Sequence, residues 1–219
     1  MFNRINFNYF NRFKKYLDYL IKGIFAGIMI GLGGVVYLIL DNNIIASFLS
    51  SIGLLIVFMY GMNLFTSKVG YLLINKLNYL YELIIGLIGN FIGVYFVGKS
   101  ILLTRYSYLS VKALELSNIK LNDNLLSIFV LSLFCGIFIY IAANNYKKIG
   151  NEIGKYGCIF LSFMIIMLCG LEHSITNILY FTLSNVWSFN TILYLLIMIL
   201  GNSVGSFLIA LFYNLYYKN

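Results

Sequence analysis

Proline is absent from this chain of 219 residues, and charged residues make up only 10% of it. A soluble domain of this size cannot cover a composition that is 61% hydrophobic, so part of that surface must face lipid. The composition therefore indicates an integral membrane protein. In such a protein the net charge of +8 mostly sets orientation, and because no nucleic-acid-binding module is recognisable we exclude nucleic acid as a partner.

Cysteine and histidine, the residues that hold most transition metals, are also scarce. Cys135, Cys158 and Cys169 lie in apolar runs without metal-ligand spacing, which is typical of small core thiols. We expect neither a metal site nor a cofactor. His173 is the only histidine, and with Glu172 it lies in the middle of an apolar stretch, IIMLCGLEHSITNILYF.

Six segments are apolar over roughly the 20 residues that a membrane span needs. The second and fifth are too long for one straight helix, and polar residues interrupt each near its middle, as MNLFTSKVG and CGLEHSITN. Two interrupted segments in matching places predict discontinuous helices with a site near the membrane midplane. The predicted segments are 23–40, 46–76, 79–98, 123–143, 156–184 and 190–215.

The two halves of the chain share a weak internal pattern. LFTS in the second segment is followed by GNFIG in the third, and LEHS in the fifth is followed by GNSVG in the sixth. Because each half has an odd number of spans, the second half enters the membrane from the opposite side. The sequence therefore predicts an all-α membrane protein with an inverted three-plus-three repeat.

Basic residues predict that both chain ends lie in the cytoplasm, because they cluster before Gly23, in the connections after the second and fourth segments, and at Lys218. Residues 1–20 mix aromatic and basic side chains, and we interpret them as an amphipathic cytoplasmic segment before one channel domain, 21–219. The outer connection 99–122 is basic against this rule. Misassigned spans would explain it, and so would a loop that draws anions toward a pore.

Small residues and one motif have structural explanations. Gly23, Gly27 and Gly31 recur every four residues, and Gly201 and Gly205 do so in the last segment, a spacing that lets helices approach closely in lipid. GNSVG also fits a G-x-S-x-G nucleophile elbow, but that motif needs a strand-to-helix turn. The match therefore carries no enzymatic prediction.

The interrupted segments contain the candidate site residues. Intramembrane ionisable residues usually face a cavity on a transport path, although Glu172 and His173 could also be hydrogen-bonded structural groups. A helix that starts after the break would favour an anion and a neutral imidazole. Thr66 and Ser67 supply hydroxyls in the other interruption, although the Thr66 hydroxyl could instead donate to a carbonyl of its own helix. The sequence gives no role for Lys68, which follows them.

In this order, these elements resemble the formate/nitrite transporter family. YLIKGIFAGIMIGLGG is similar to the family's first helix, NLFTSKVG to the loop that breaks its second, GNFIG to its third, GLEHSITN to its broken fifth and GNSVGSFLIALFY to its sixth. The resemblance covers about residues 19–216. It implies an aquaporin-like fold in a homopentamer of a prokaryotic cytoplasmic membrane, with one pore for small monovalent anions in each protomer.

The resemblance also implies roles for single residues. His173 is similar to the family's central pore histidine, Thr66 to the threonine opposite it, and Lys120 to a lysine at the start of the fourth helix. Glu172 is then the expected partner of Lys120, since a buried lysine needs a counter-charge. Leu54 and Ile166 fall where the family places apolar constrictions. Gly136 stands where the family usually has asparagine, and Ile166 where formate channels commonly have phenylalanine. Both changes widen the pore or make it less polar, so nitrite and hydrosulfide are alternatives to formate as the predicted substrate.

The predicted function is transport of formate, nitrite or hydrosulfide through a histidine-gated, proton-coupled pore. The protein's partners would be that anion, protons, membrane lipid and further copies of the chain. One alternative is an aquaporin-like channel for neutral solutes, but the Asn-Pro-Ala caps of such channels need proline. A Ser203–His173 hydrolase is the other, and it requires hydrogen-bond contact between the two side chains.

Overall fold

The computed structural model describes residues 2–217, with side chains from residue 13 onward. Within this range the chain is helical, without strands. Met1, Lys218 and Asn219 lie outside the described residues, and with them the predicted role of Lys218 in orientation. The α-helices are α1 (Phe2–Ile39), α2 (Asn43–Ser50), α3 (Ile52–Met59), α4 (Phe65–Lys68), α5 (Asn78–Leu102), α6 (Leu109–Leu121), α7 (Leu125–Lys148), α8 (Glu152–Leu168), α9 (Ser174–Leu183) and α10 (Phe189–Tyr216), with 3-10 helices at Val69–Ile74 and Arg105–Tyr108.

Four helices are long and apolar enough to cross a membrane: Phe13–Ile39 within α1, and α5, α7 and α10. They coincide with four of the predicted segments. Large apolar side chains such as Phe96 and Leu196 are exposed on their surfaces, as expected where helices face lipid. The chain is therefore a multi-pass membrane protein. The two remaining predicted segments, 46–76 and 156–184, consist of shorter helices separated by turns.

Both separating turns use the same helix ending. After α3, Gly61 has a φ of 62° and the Met62 N–H donates to the Val57 carbonyl; after α8, Gly170 has a φ of 63° and the Leu171 N–H donates to the Ile166 carbonyl. Glycine adopts this left-handed conformation without a Cβ penalty, and the i to i−5 bond is typical of a Schellman ending. Each glycine therefore ends one helix and lets an extended stretch lead into the next.

The outer connection 99–122, for which the sequence left open misassigned spans or a loop that draws anions, is mostly helical. Helix α5 continues to Leu102, and α6 buries Leu109, Ala113, Ser117 and Lys120 on one face against α9. Lys112 caps α1, because its Nζ donates to the carbonyls of Leu38 and Leu40 at 3.1 Å each. Lys120 lies in the last turn of α6, ahead of the helix to which the sequence assigned it.

Helix packing is closest in two pairs, α1 with α5 and α7 with α10. A Cβ added to Gly27 would collide with the Asn90 backbone, and a Cβ added to Gly205 would collide with the Leu133 backbone. The predicted packing role of the glycine stripes is confirmed at these contacts. Helix α1 runs unbroken through residues 20 and 21, so the separate cytoplasmic segment 1–20 stays a prediction.

Candidate functional site

Two buried asparagines hold the two turns in place. Asn90 Oδ1 accepts a hydrogen bond from the Phe65 N–H at 2.8 Å, and Asn90 Nδ2 donates to the carbonyls of Gly23 and Asn63 at 2.9 and 2.8 Å. The side chain is 0% exposed. It therefore satisfies one backbone donor at the start of α4 and the Asn63 carbonyl of the turn, and it anchors both to the Gly23 carbonyl inside α1.

Asn202 repeats this arrangement in the second half of the chain. Its Oδ1 accepts from the Ser174 N–H at 3.0 Å, and its Nδ2 donates to the carbonyls of Ser132 and Glu172 at 2.8 Å each. The partners occupy matching places around the two turns, with Phe65 equivalent to Ser174 and Asn63 to Glu172. The asparagines of the two GNxxG motifs therefore correspond as the sequence pattern indicated, but the equivalent residues of the turns are shifted by two positions from the alignment of LFTS with LEHS. The scaffold places the starts of α4 and α9 at equivalent positions.

His173 occupies the residue before α9 and contacts two threonines. Its Nε2 lies 2.9 Å from Thr66 Oγ1 and its Nδ1 lies 2.7 Å from Thr176 Oγ1. A neutral imidazole has one N–H and one lone pair, so one hydroxyl donates to the ring and the other accepts from it. The ring is 2% exposed, and Phe163 contacts it edge-on with centroids 6.2 Å apart. The predicted proximity of His173 and Thr66 is confirmed.

Beside the histidine, Glu172 holds a buried lysine. Lys120 Nζ lies 2.9 Å from both carboxylate oxygens of Glu172, and Asn177 Nδ2 donates to Glu172 Oε2 at 2.6 Å. The Lys120 and Glu172 residues are 9% and 3% exposed. A buried pair needs such bidentate contact and further hydrogen bonds to offset the loss of hydration. The structure therefore brings Lys120 to Glu172 as predicted.

A cavity of about 70 Å³ opens beside these residues, and we call it the His173 cavity. Lys120, Ile166, His173, Thr176 and Asn177 line it, together with Tyr180. The Tyr180 hydroxyl is buried and has no hydrogen-bond partner among the described residues, so it is a spare donor at this cavity. The cavity combines an ammonium, hydroxyls, an amide and an imidazole with apolar walls.

A second cavity, of about 130 Å³, lies against the other turn, and we call it the Lys147 cavity. Its polar lining includes Ser67, Lys68 and Lys147, and its apolar lining includes Val57. Thr66, which directly precedes Ser67, contacts His173 of the first cavity. The hydrogen bond between Thr66 and His173 therefore connects a lining residue of the His173 cavity with the chain neighbour of a residue, Ser67, that lines the Lys147 cavity.

The predicted constriction residues are both fully buried, at 0% exposure. Ile166 lines the His173 cavity. Leu54 lies one turn before Val57 in α3 and does not itself line either cavity. The Val57 carbonyl accepts a hydrogen bond from the Met62 N–H, just as the Ile166 carbonyl accepts one from the Leu171 N–H. Val57 is therefore the structural counterpart of Ile166. The part of Leu54 and Ile166 in permeation stays a prediction.

Gly136 was interpreted as a pore position that lacks a donor, and its surroundings contradict this. It is buried in the contact between α7 and α10, where any Cβ would collide with the Asn202 backbone. Its carbonyl accepts a hydrogen bond from Ser206 Oγ at 3.1 Å. Glycine at 136 is thus a requirement of close helix packing, as Gly27 is in the other half, and it removes nothing from the cavities described above.

Lys68, unexplained by the sequence, is tied to the first turn. Its Nζ donates to Asn63 Oδ1 and lies 5.7 Å from the centre of the Tyr19 ring, while the Tyr79 hydroxyl donates to its carbonyl at 3.3 Å. The same side chain lines the Lys147 cavity. Asn63 and Lys68 thus correspond to Glu172 and Asn177, whose side chains also bond each other.

Sequence reasoning missed three residues of the site, Thr176, Asn177 and Tyr180. Each follows His173 by a helical spacing of three, four or seven residues, so the start of α9 directs them toward the same cavity. A helical projection from residue 174 would have indicated them. The predicted break did not show at which residue the next helix begins, so it did not indicate which side chains face the cavity.

The suggested pair of Ser203 and His173 does not form. Ser203 Oγ donates to the Ile199 carbonyl at 2.7 Å, and the two ring nitrogens of His173 contact Thr66 and Thr176. A nucleophile and its base must lie within hydrogen-bond reach. The geometry therefore gives no support to a hydrolase of this type.

Comparisons with known proteins point to one family. The formate/nitrite transporter family model matches residues 10–216. A solved structure described as a "Pentameric formate channel with formate bound" is 22% identical, with a TM-score of 0.77 over 94% of this chain and 99% of that one. An "FNT family ion channel" is 20% identical, with a TM-score of 0.74 over 97% of this chain and 92% of that one. No curated protein sequence matches the chain.

Proposed function

The chain belongs to the formate/nitrite transporter family, and from this premise we propose that it transports small monovalent anions through a pore in each protomer of a homopentamer. The observation that carries the proposal is the contact of Thr66 with His173: His173 lines one cavity, and Thr66 directly precedes Ser67, which lines the other. Formate, nitrite and hydrosulfide are the candidate substrates. With Gly136 explained by packing, only Ile166 remains as a departure that widens the path.

The proposed topology has six spans, of which the second and fifth are broken, in an inverted repeat. Its support is the repeated hydrogen bonding of Asn90 and Asn202 around the two turns. A helix start offers free N–H groups and a positive dipole end, which favour an anion at that depth. The start of α9 would bring this preference to the centre of the path through the N–H groups that follow Ser174, whose own N–H is bonded to Asn202.

The proposed path leads from the His173 cavity past Ile166, His173 and Thr66, and past Leu54 to the Lys147 cavity. In the proposed orientation, which the distribution of basic residues supports, the Lys147 side and both chain termini face the cytoplasm. Membrane lipid surrounds the exposed apolar faces of the long helices. The protein would thus be a multi-pass component of a prokaryotic cytoplasmic membrane.

Crossing the apolar centre costs a bare anion several kcal/mol, because its hydration is lost. Lys120 offsets part of this cost at the His173 cavity, and Glu172 keeps the lysine charged and in place. Thr66 and His173 replace hydrogen bonds that water made, with Ser67 close behind them in the other cavity. If His173 also lends its proton to the anion and takes up a proton from the entry side in return, the substrate passes the constriction as a neutral acid and one proton crosses with it, which avoids most of the cost.

The proposal is tested by uptake of formate, nitrite and hydrosulfide into liposomes across pH, with His173→Ala in parallel. We expect saturable uptake of at least one anion and its loss in the variant. Thr66→Val should also reduce flux, and Thr182→Val is its matched control, because Thr182 is equally buried but bonds only its own helix at Ile178. Uptake of neutral solutes without any anion would instead support the aquaporin-like alternative.

A further inference from the structure

We propose that the Lys147 cavity binds a small divalent oxyanion, such as inorganic sulfate or phosphate, and that this ion blocks the path from that side. Two ammonium groups line one cavity here, and no carboxylate of the described residues is among its lining residues. Binding does not depend on the proposed transport function. Only the block rests on it.

The two lysines keep their charge available to the cavity. Lys68 is bonded to the neutral Asn63 amide, and Lys147 lies 4.0 Å from the centre of the Tyr71 ring. Neither forms an ion pair in the described part of the chain. Glu82 lines a small neighbouring cavity with Lys68, but this carboxylate is paired with Lys15. Aromatic rings and amides leave an ammonium its full charge, whereas a carboxylate would cancel it.

The His173 cavity is different in this respect. Its lysine, Lys120, lies 2.9 Å from both oxygens of Glu172, so the pair is close to neutral at a distance. An anion therefore meets one lysine that is paired with a carboxylate at the His173 cavity, and two lysines without a carboxylate partner among the described residues at the Lys147 cavity. The excess of positive charge at the Lys147 cavity favours anions of higher charge there.

The volume and the lining fit a tetrahedral oxyanion. A water molecule takes up about 30 Å³ in the liquid, so a cavity of about 130 Å³ has room for an oxyanion together with some of its water. Two ammonium groups that share a cavity repel each other, and a dianion between them relieves that repulsion. Of the two lining lysines, Lys147 is exposed and Lys68 is half-buried, so the ion can reach the cavity from solvent.

The same ion cannot continue along the path. Val57 lines the cavity and is fully buried, as is Leu54 in the same helix. The cost of removing an ion from water rises with the square of its charge, so a dianion meets a far larger barrier than formate or nitrite. Held at the mouth, it excludes the permeant anions.

Binding is tested on the purified protein by titration with sulfate against chloride at equal ionic strength. We expect one saturable sulfate site, weakened roughly tenfold or more in Lys147→Met and in Lys68→Met, because each loses a charge-assisted bond. Lys148→Met is the matched control, since Lys148 ends the same helix and also lies over a tyrosine but does not line the cavity. Where a methionine variant fails to fold, Lys147→Gln and Lys68→Gln replace it.

The block is tested in membrane vesicles of both orientations. Sulfate should inhibit anion flux when it has access to the Lys147 side, in inside-out vesicles, and not in right-side-out vesicles. Lys147→Met should remove the inhibition and Lys148→Met should keep it. If the chain transports no anion, the proposed function fails while the binding result stands.

Three results would overturn the inference. One is the absence of saturable sulfate binding to the wild-type protein. Another is an equal loss of affinity in Lys148→Met, which would show that general surface charge and not the cavity attracts the ion. The third is sulfate binding that leaves flux from the Lys147 side unchanged, which would refute the block.

Discussion

The turn before α4 and the turn before α9 have the same scaffold and opposite chemistry. In each, a glycine with positive φ ends a helix and an asparagine from a later helix satisfies the backbone. The side chains that the scaffold presents are different. The first turn bonds Lys68 to a neutral Asn63, while the second bonds a neutral Asn177 to Glu172 and adds Lys120 from α6.

This difference shows how a repeated framework can serve an asymmetric path. Backbone hydrogen bonds and close glycine packing define where the two turns lie, and they are the same in both halves. Charge and hydrogen-bonding capacity at the cavities come from positions that the framework does not restrict. Changes to the framework should therefore have equal effects in both halves, and changes to the presented side chains should not.

The largest effect is expected from breaking the buried ion pair of the second turn. Glu172→Gln leaves Lys120 charged and unpaired, which should destabilise the protein by about 3–5 kcal/mol. Thermal unfolding in detergent measures this. The double variant with Lys120→Met should recover much of the loss, and an additive loss would contradict the assigned pairing.

The framework asparagines come next. Asn90→Leu and Asn202→Leu each leave one buried N–H and one turn carbonyl unpaired and remove a bond to a neighbouring helix, at a cost of about 3 kcal/mol. Because the bonds match, the two unfolding temperatures should fall by similar amounts. A large drop for only one of them would show that the halves do not share a framework.

The helix contacts should respond in the same paired manner, with smaller effects. Gly27→Ala and Gly136→Ala each place a Cβ against an asparagine backbone, which should cost about 1–3 kcal/mol. Gly157→Ala is a control, because no atom lies within 4 Å of the added Cβ. Unchanged stability in Gly136→Ala would restore the interpretation of this residue as a pore position.

The smallest effect on stability is expected for Lys68→Met in the first turn. The lysine donates to a neutral amide and remains half-buried, so its loss should cost about 1 kcal/mol or less. Unfolding of this variant beside Glu172→Gln compares the two turns directly. A loss as large as that of Glu172→Gln would remove the contrast between them.

The sequence predicts much of this fold because its strongest signals are local. Long apolar runs indicated the four long helices, and polar interruptions indicated the turns near residues 60–64 and 169–173. Helix α6 was missed because its face of Leu109, Ala113 and Ser117 is short and surrounded by polar residues. Without the partner α9, such a pattern does not separate a packed helix from a loop.

The site was predictable in part, and for a different reason. The pairing of Lys120 with Glu172 and of Thr66 with His173 came from a family resemblance, because these residues are far apart in the sequence. Gly136 was misread since its role depends on the Asn202 backbone, which the sequence near Gly136 does not reveal. The hydrogen bond of Thr176 to His173 depends on where α9 begins, at Ser174.

The central claim is that substrate and proton pass together at the contact of His173 with Thr66. The most direct measurement records anion uptake and internal pH at once in liposomes, with the wild-type protein and with His173→Phe. We expect the wild type to take up protons with the anion, and His173→Phe to lose both fluxes while it remains a folded oligomer. Unchanged proton-coupled uptake in His173→Phe would contradict the account.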